Sequence, residues 1–293
     1  MDTKKLYRAK PCIPQEDKPF INDAWNEILD TGMFIQGKYV TEFENLFAEY
    51  CGTKYAIATN SGATSLEVML RASNIEGKKF LVPTQTFVAS VSAIVRSNNI
   101  PVITDIDPVT QCINLDIIKE NVDEDTAGIM LVHMAGMLPP DYQDIKQYCE
   151  DNGLLLVEDA SHAVGATIDG IKAGNLGFAA AFSLFATKII TSGEGGMITT
   201  NNEGFAERCR VLRNHGCVRN PSIVPGLDYG VSCSVASSNY RMPEMAAAIG
   251  ITQIKRADEF VAKRNLLADR YKERLKDTDI VVPDIPENIT MTW

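Results

Sequence analysis

From Lys54 onward the chain alternates between short, uninterrupted apolar runs and longer segments in which apolar residues recur every third or fourth position. "KYAIATN", "KKFLVPTQTF", "IPVITDID", "TAGIMLVHMAG" and "GLLLVEDA" are of the first kind and predict strands covered on both faces. "SGATSLEVMLRASNI", "VASVSAIVRSNN" and "DYQDIKQYCEDNG" are of the second kind and predict helices. "AAAFSLFA" and "GGMITTN" predict a last pair of strands, followed by the helix "EGFAERCRVLRNHG". Apolar strands alternating with amphipathic helices indicate an α/β domain with a mostly parallel sheet held between helices.

The flanks follow other patterns. Residues 1–20 read as an irregular arm holding Pro11, Pro14 and Pro19. "FINDAWNEILDTGMF" predicts a helix broken at Gly32, and "TEFENLFAEYCG" a helix with Gly52 as its C-cap. Beyond about residue 240, "MPEMAAAIGITQIKRADEFVAKRNLLADRYKERLK" predicts one long helical stretch, and "DIVVPDIPENITMTW" begins something strand-like. The expected division is an arm over 1–20, a large domain over 21–245, and over 246–293 a linking helix with the beginning of a small α+β domain that the chain does not complete.

Composition narrows the classes. With 45% hydrophobic and 23% charged residues over 293 positions, the chain reads as an ordinary globular protein. A net charge of −10 argues against a nucleic-acid partner, which would select a basic stripe. The chain has no apolar run long enough for a membrane span, and its first residues lack the apolar core of a signal peptide. The expectation is therefore no membrane partner and a cytoplasmic location. Seven cysteines, scattered and never spaced as CxxC, predict reduced structural thiols rather than a disulfide framework. With only three histidines, no metal site is expected.

In a doubly wound sheet, ligands bind beyond the carboxyl ends of the strands, and three stretches fall there. "TNSGATS" opens a helix, where backbone N–H groups and the helix dipole suit a phosphate. "VEDASHA" puts Glu158 and Asp159 at a strand tip, with His162 three residues on. "AFSLFATKIITSGEGGMITT" carries one basic residue, Lys188, before a glycine-rich loop. Each has an ordinary alternative: a capped turn, a helix-capping acid, a solvated lysine. A phosphate cradle, a strand-tip acid and a lysine in a small-residue turn are together what pyridoxal phosphate requires. The lysine holds it as a Schiff base, the acid pairs with the pyridine nitrogen, and the cradle takes the phosphate. Neither a GxGxxG after a strand nor a Walker A loop is present.

The ordered set "TNSGATSLEVML", "VPTQTFVASVSAI", "LVHMAG", "VEDASHAVGA", "FSLFATKIITSGEGGMITT", "VLRNHG" and "SSNYRMPEMAAAIG" closely resembles the DegT/DnrJ/EryC1/StrS family of sugar aminotransferases, which are fold-type I pyridoxal-phosphate enzymes. The resemblance runs from about residue 10 to 260. It implies that Lys188 carries the cofactor and moves the proton, and that Asp159 pairs with the pyridine nitrogen. His162 would stand near the phenolic oxygen and Phe87 would stack on the ring. Gly62 and Ala63 would give backbone N–H groups to the phosphate, and Ser183 a hydroxyl. Asn239 would reach the phosphate of the partner chain in a homodimer with shared sites. Where the family often has Thr, this chain has Ala63, so Thr64 is a lesser candidate for a hydroxyl contact.

Related sugar dehydratases carry His in place of the lysine, so Lys188 favours transamination. The resemblance implies amino transfer, with glutamate as donor, onto a nucleotide-linked keto-sugar for amino-sugar or surface-polysaccharide biosynthesis. The alternatives are a non-catalytic, cofactor-binding regulator on the same fold and a dehydratase or lyase relative. Arg213, Arg219, Arg241 and His215 either meet the nucleotide's phosphates or are simply solvated. The loop "CVRNPSIVPGLDYG" is a candidate for sugar specificity.

Overall fold

The structure is a computed structural model that describes residues 10–219, 231–283 and 285–293. Its first helices end as their sequences predict. α1 (Lys18–Thr31) stops at Gly32 with φ 69° and α2 (Lys38–Cys51) at Gly52 with φ 73°, left-handed conformations that glycine adopts without a Cβ penalty. The α/β body follows as β1 (Tyr55–Thr59), α3 (Gly62–Ala72), β2 (Lys79–Pro83), α4 (Val88–Arg96) and β3 (Ile100–Thr104). It continues through α5 (Leu115–Asn121), β4 (Thr126–Val132), α6 (Tyr142–Asp151) and β5 (Leu155–Asp159). Then come the short hairpin β6 (Thr167–Ile168) and β7 (Ile171–Lys172), β8 (Ala179–Ser183), β9 (Gly196–Thr200) and α7 (Glu203–Arg213).

The seven long strands form one sheet in the order β1-β9-β8-β5-β4-β2-β3. β9 runs antiparallel to both its neighbours, and every other pairing is parallel. The sheet is therefore mixed and mostly parallel, as expected. Strand alternation splits the core into two layers. Ala179, Ala181 and Val157 pack with Leu66, Ile94 and Phe205 beneath α3, α4 and α7. Ala180 and Phe182 face the other way, into the cluster of Phe43, Phe47, Ala247 and Ile251. Leu131 and Leu156 cover Ile118 and Ile145 of α5 and α6 on that same side.

The long C-terminal helix is a correction. It is two helices, α8 (Glu244–Ile254) and α9 (Ala257–Leu275), separated at Lys255–Arg256. No Pro or Gly marks the break. Arg256 instead turns outward to Asp17 and Glu16 ahead of α1. α8 is buried on most of its surface and packs on α1 and α2. The fully buried Glu244 carboxylate accepts N–H bonds from Gly37 at 2.7 Å and Tyr39 at 2.8 Å, serving as the missing cap of α2.

The thiols are a second correction. Cys217 of β10 (Cys217–Arg219) and Cys233 of β11 (Val231–Cys233) oppose each other in an antiparallel pair and are joined as a disulfide. Cys51, Cys112, Cys149 and Cys209 are buried and free, and Cys12 is exposed. A separation of 16 residues carries no sequence signal until the two strands are known to pair. β12 (Ile289–Thr290) adds to β6, which brings the last residues back beside the 162–168 segment. Among the described residues, no helix is long and apolar enough to cross a membrane.

Candidate active site

β5 ends in Glu158 and Asp159, whose side chains leave the strand on opposite faces. Glu158 is fully buried and its carboxylate accepts from the N–H groups of Gly174, Leu176 and Gly177, each at 2.9 Å. His133 Nε2 adds a fourth donor at 2.9 Å. With those lone pairs occupied, Glu158 ties a turn to the sheet and has little to offer a ligand. Asp159 points to the α3/α4 side and borders a cavity of about 610 Å³, within the usual size of a cofactor pocket. It is only 5% exposed and forms no ion pair among the described residues. A buried carboxylate without a cation is costly, so this one suits a ligand that brings a positive charge.

Lys188 enters the same cavity from the turn after β8, where its own N–H donates to the Phe185 carbonyl at 2.9 Å. Its side chain is half-buried. Burial pushes the amine below the range of an ordinary lysine, and the charge of Asp159 pulls it part of the way back. His162, also half-buried, accepts the Ala135 N–H on Nδ1 at 3.3 Å, which fixes the ring proton on Nε2 when the ring is neutral. Burial, and secondly the charge of Lys188, hold the imidazole below its usual pKa.

The opposite wall is the start of α3. Ser61 caps it, its Oγ accepting the Thr64 N–H at 3.2 Å. The N–H groups of Gly62 and Ala63 precede the first intrahelical bonds and are unpaired among the described residues. Gly62 is required by close approach: a Cβ there would lie 2.6 Å from Ser183 Cβ. Gly196 in the glycine-rich loop answers the same need, since its Cβ would lie 2.2 Å from the Ser61 carbonyl. The glycines thus let β8, β9 and the α3 terminus meet. Phe87, at the N-cap position of α4, is 67% exposed and borders the cavity.

Seven of the eight expected residues, Gly62, Ala63, Phe87, Asp159, His162, Ser183 and Lys188, therefore line one cavity. Asn239 does not. It is exposed, its carbonyl accepts from Asn60 Nδ2 at 3.2 Å, and its Oδ1 accepts the Arg241 N–H at 3.2 Å. Thr64 is engaged in the capping box, its Oγ1 accepting the Ser61 N–H at 3.1 Å and donating to Asn60 Oδ1 at 2.7 Å. Arg213 is buried against Glu44 and the Ala58 carbonyl, and Arg241 bonds Asn214 Oδ1 at 2.6 Å. The Arg219 side chain and most of the loop "CVRNPSIVPGLDYG" lie outside the described residues.

Sequence reasoning missed Ser90, whose hydroxyl donates to Asp159 Oδ2 at 2.6 Å, and the Ser161 N–H, which meets Oδ1 at 3.1 Å. The set fits a group with an anionic phosphate at one end and a protonated ring nitrogen at the other. The free N–H groups at the α3 terminus can take the first, Asp159, which has no ion-pair partner among the described residues, can take the second, and Phe87 borders the same cavity. Pyridoxal phosphate has that form.

The model of the DegT/DnrJ/EryC1/StrS aminotransferase family matches residues 15–293. GDP-perosamine synthase of Caulobacter vibrioides is 41% identical over 277 residues, covering 94% of this chain and 71% of that protein. A dTDP-3-amino-3,6-dideoxy-alpha-D-galactopyranose transaminase of Aneurinibacillus thermoaerophilus is 34% identical over 275 residues, covering 93% and 73%. Among solved structures, an aminotransferase from Psychrobacter cryohalolentis superposes with a TM-score of 0.88 at 30% identity, covering 98% of this chain and 75% of that one.

Proposed function

The chain belongs to the DegT/DnrJ/EryC1/StrS aminotransferase family, and from that premise we propose the assignment of its site, cofactor and substrates. It is a fold-type I sugar aminotransferase. The cofactor is pyridoxal phosphate, the amino donor glutamate, and the acceptor a nucleotide-linked keto-sugar destined for amino-sugar or polysaccharide synthesis. The observation that carries this reading is the meeting of Lys188, Asp159, Phe87 and the α3 N-terminus around one cavity. A GDP-linked keto-sugar is the first acceptor to test, given the 41% identity to a GDP-perosamine synthase.

In this reading Gly62 and Ala63 bind the phosphate through their N–H groups, with Ser183 adding its hydroxyl. Phe87 covers one face of the ring, and Asp159 holds a proton on the ring nitrogen. When bound, the cofactor supplies an electrophilic carbon for amine exchange and a ring that accepts the electron pair released when the neighbouring C–H ionises. Lys188 does the proton work at Nζ. Its lowered pKa leaves more of the amine neutral near pH 7, able to attack a carbonyl or take a proton from carbon. His162, held neutral, presents an Nε2–H donor without adding a second positive charge beside Lys188.

The active unit is a homodimer in the cytoplasm. Two features support the dimer: Asn239 stands outside its own chain's cavity, and apolar side chains are bare around α1 and α4. These include Leu29 at 58%, Met33 at 55%, Val88 at 65% and Val95 at 54% exposure. The division into arm, large domain and small-domain beginning remains part of the proposal.

The test is a single-turnover experiment. Protein loaded with pyridoxal phosphate should lose its visible-edge absorption on addition of L-glutamate and release one equivalent of 2-oxoglutarate. It should then pass the amine to a nucleotide-linked keto-sugar. No spectral change with glutamate or any other amino donor would refute the reading.

A further inference from the structure

Ser90 lies on α4, one turn after Phe87, fully buried, with its N–H donating to the Phe87 carbonyl at 3.1 Å. Its hydroxyl has a single proton, which goes to Asp159 Oδ2 at 2.6 Å, because an ionised carboxylate can only accept. Thr86 Oγ1 lies 2.6 Å from Ser90 Oγ. With the serine proton committed, Thr86 must be the donor in that pair, in preference to its longer 3.3 Å bond to the Phe87 carbonyl. The chain of donors therefore runs in one direction, from Thr86 to Ser90 to Asp159. On the other oxygen, Oδ1 accepts the Ser161 N–H at 3.1 Å.

One donor on each oxygen removes the freedom of the carboxylate to rotate. We propose that Ser90, backed by Thr86, is a positioning residue for the reaction: it fixes the Asp159 carboxylate so that a defined lone pair meets the cationic ring nitrogen of the cofactor. The same bond ties α4, and with it Phe87, to the tip of β5. The ring-covering aromatic and the ring-pairing acid are thereby set by one hydroxyl. The inference rests on the pyridoxal-phosphate reading above and goes beyond it in assigning a role to a residue that does not itself reach the ligand.

The test compares equilibrium binding of pyridoxal phosphate with that of its 1-deaza analogue, in which the ring nitrogen is replaced by CH. Wild-type protein should prefer the natural ligand, because only that ligand has a nitrogen for Asp159. Ser90→Ala should shrink this preference about tenfold, the lower end of what a hydrogen bond to a charged group contributes. Ser90→Thr, which keeps the hydroxyl, should retain it. Ser90→Cys keeps the volume with only a weak donor and should behave like Ser90→Ala, which covers the case in which the alanine variant folds poorly. A purely structural serine would weaken both ligands in proportion and leave the ratio at its wild-type value; that result in Ser90→Ala or Ser90→Cys overturns the proposal. Wild-type protein that binds neither ligand would instead overturn the cofactor reading, so the two failures are distinguishable.

Discussion

Replacing Gly62 by alanine puts two effects of opposite sign against each other. Gly62 has no positive φ, so a Cβ suits its backbone and would stabilise by about 0.4–1 kcal/mol through the unfolded chain. The same Cβ would lie 2.6 Å from Ser183 Cβ and 2.9 Å from Ser183 Cα. Two carbons rest comfortably at roughly 3.5–4.0 Å, so the overlap approaches 1 Å. Ser183 ends an interior strand and is paired with Gly196, so its backbone has little room to give. An overlap of this size against a backbone atom belongs to the upper part of the overpacking range, about 2–3 kcal/mol, which outweighs the gain and leaves a net loss of about 1–2.5 kcal/mol.

For a chain of this size, with an unfolding entropy of about 0.6 kcal/mol/K, that loss corresponds to a fall in Tm of about 2–4 °C, readable by calorimetry on cofactor-free protein. Relief of the overlap moves the α3 terminus away from Ser183 and spreads the proposed phosphate donors. Affinity for pyridoxal phosphate should therefore fall by about tenfold, the loss of one charge-assisted hydrogen bond. An unchanged or raised Tm would refute the packing argument. A lowered Tm with unchanged affinity would show that the phosphate is held elsewhere.

Three further outcomes are expected. Glu244→Ala removes the buried acceptor of the first N–H groups of α2 and should destabilise the fold by about 2–4 kcal/mol in urea denaturation, with a loss below about 0.5 kcal/mol refuting the capping role. Lys188 should be modified by an amine reagent with a pH midpoint below that of an ordinary lysine, since its folded pKa is lowered; Asp159→Asn should move the midpoint further down, because Asp159 is the charge that raises it. His162 should titrate below an ordinary histidine by NMR, and Lys188→Gln should raise its midpoint, whereas no change would show that the two side chains do not sense each other.

What was legible in the sequence was whatever local pattern controls. Gly32 and Gly52 stop their helices as expected, because a left-handed cap is a property of one residue. Lys188 and Asp159 stood out because polar groups at the tips of apolar strands need a reason to be there. Ser90 did not stand out: inside "FVASVSAI" a serine reads as a small packing residue, and its partner is 69 positions away. The break at Lys255–Arg256 was hidden as well, since no helix breaker stands there and the partners of Arg256, Asp17 and Glu16, lie 239 and 240 positions away. The Cys217–Cys233 bond likewise depends on a hairpin whose strands are only three residues long. Features that depend on distant partners appear only when the sheet order is known.

The central claim is that Lys188 is the group that takes the cofactor. Protein incubated with pyridoxal phosphate, reduced with borohydride and digested should yield one modified peptide, carrying the phosphopyridoxyl mass on Lys188, and Lys188→Ala should yield none. Modification spread over surface lysines, or a single modified lysine other than Lys188, would contradict the account.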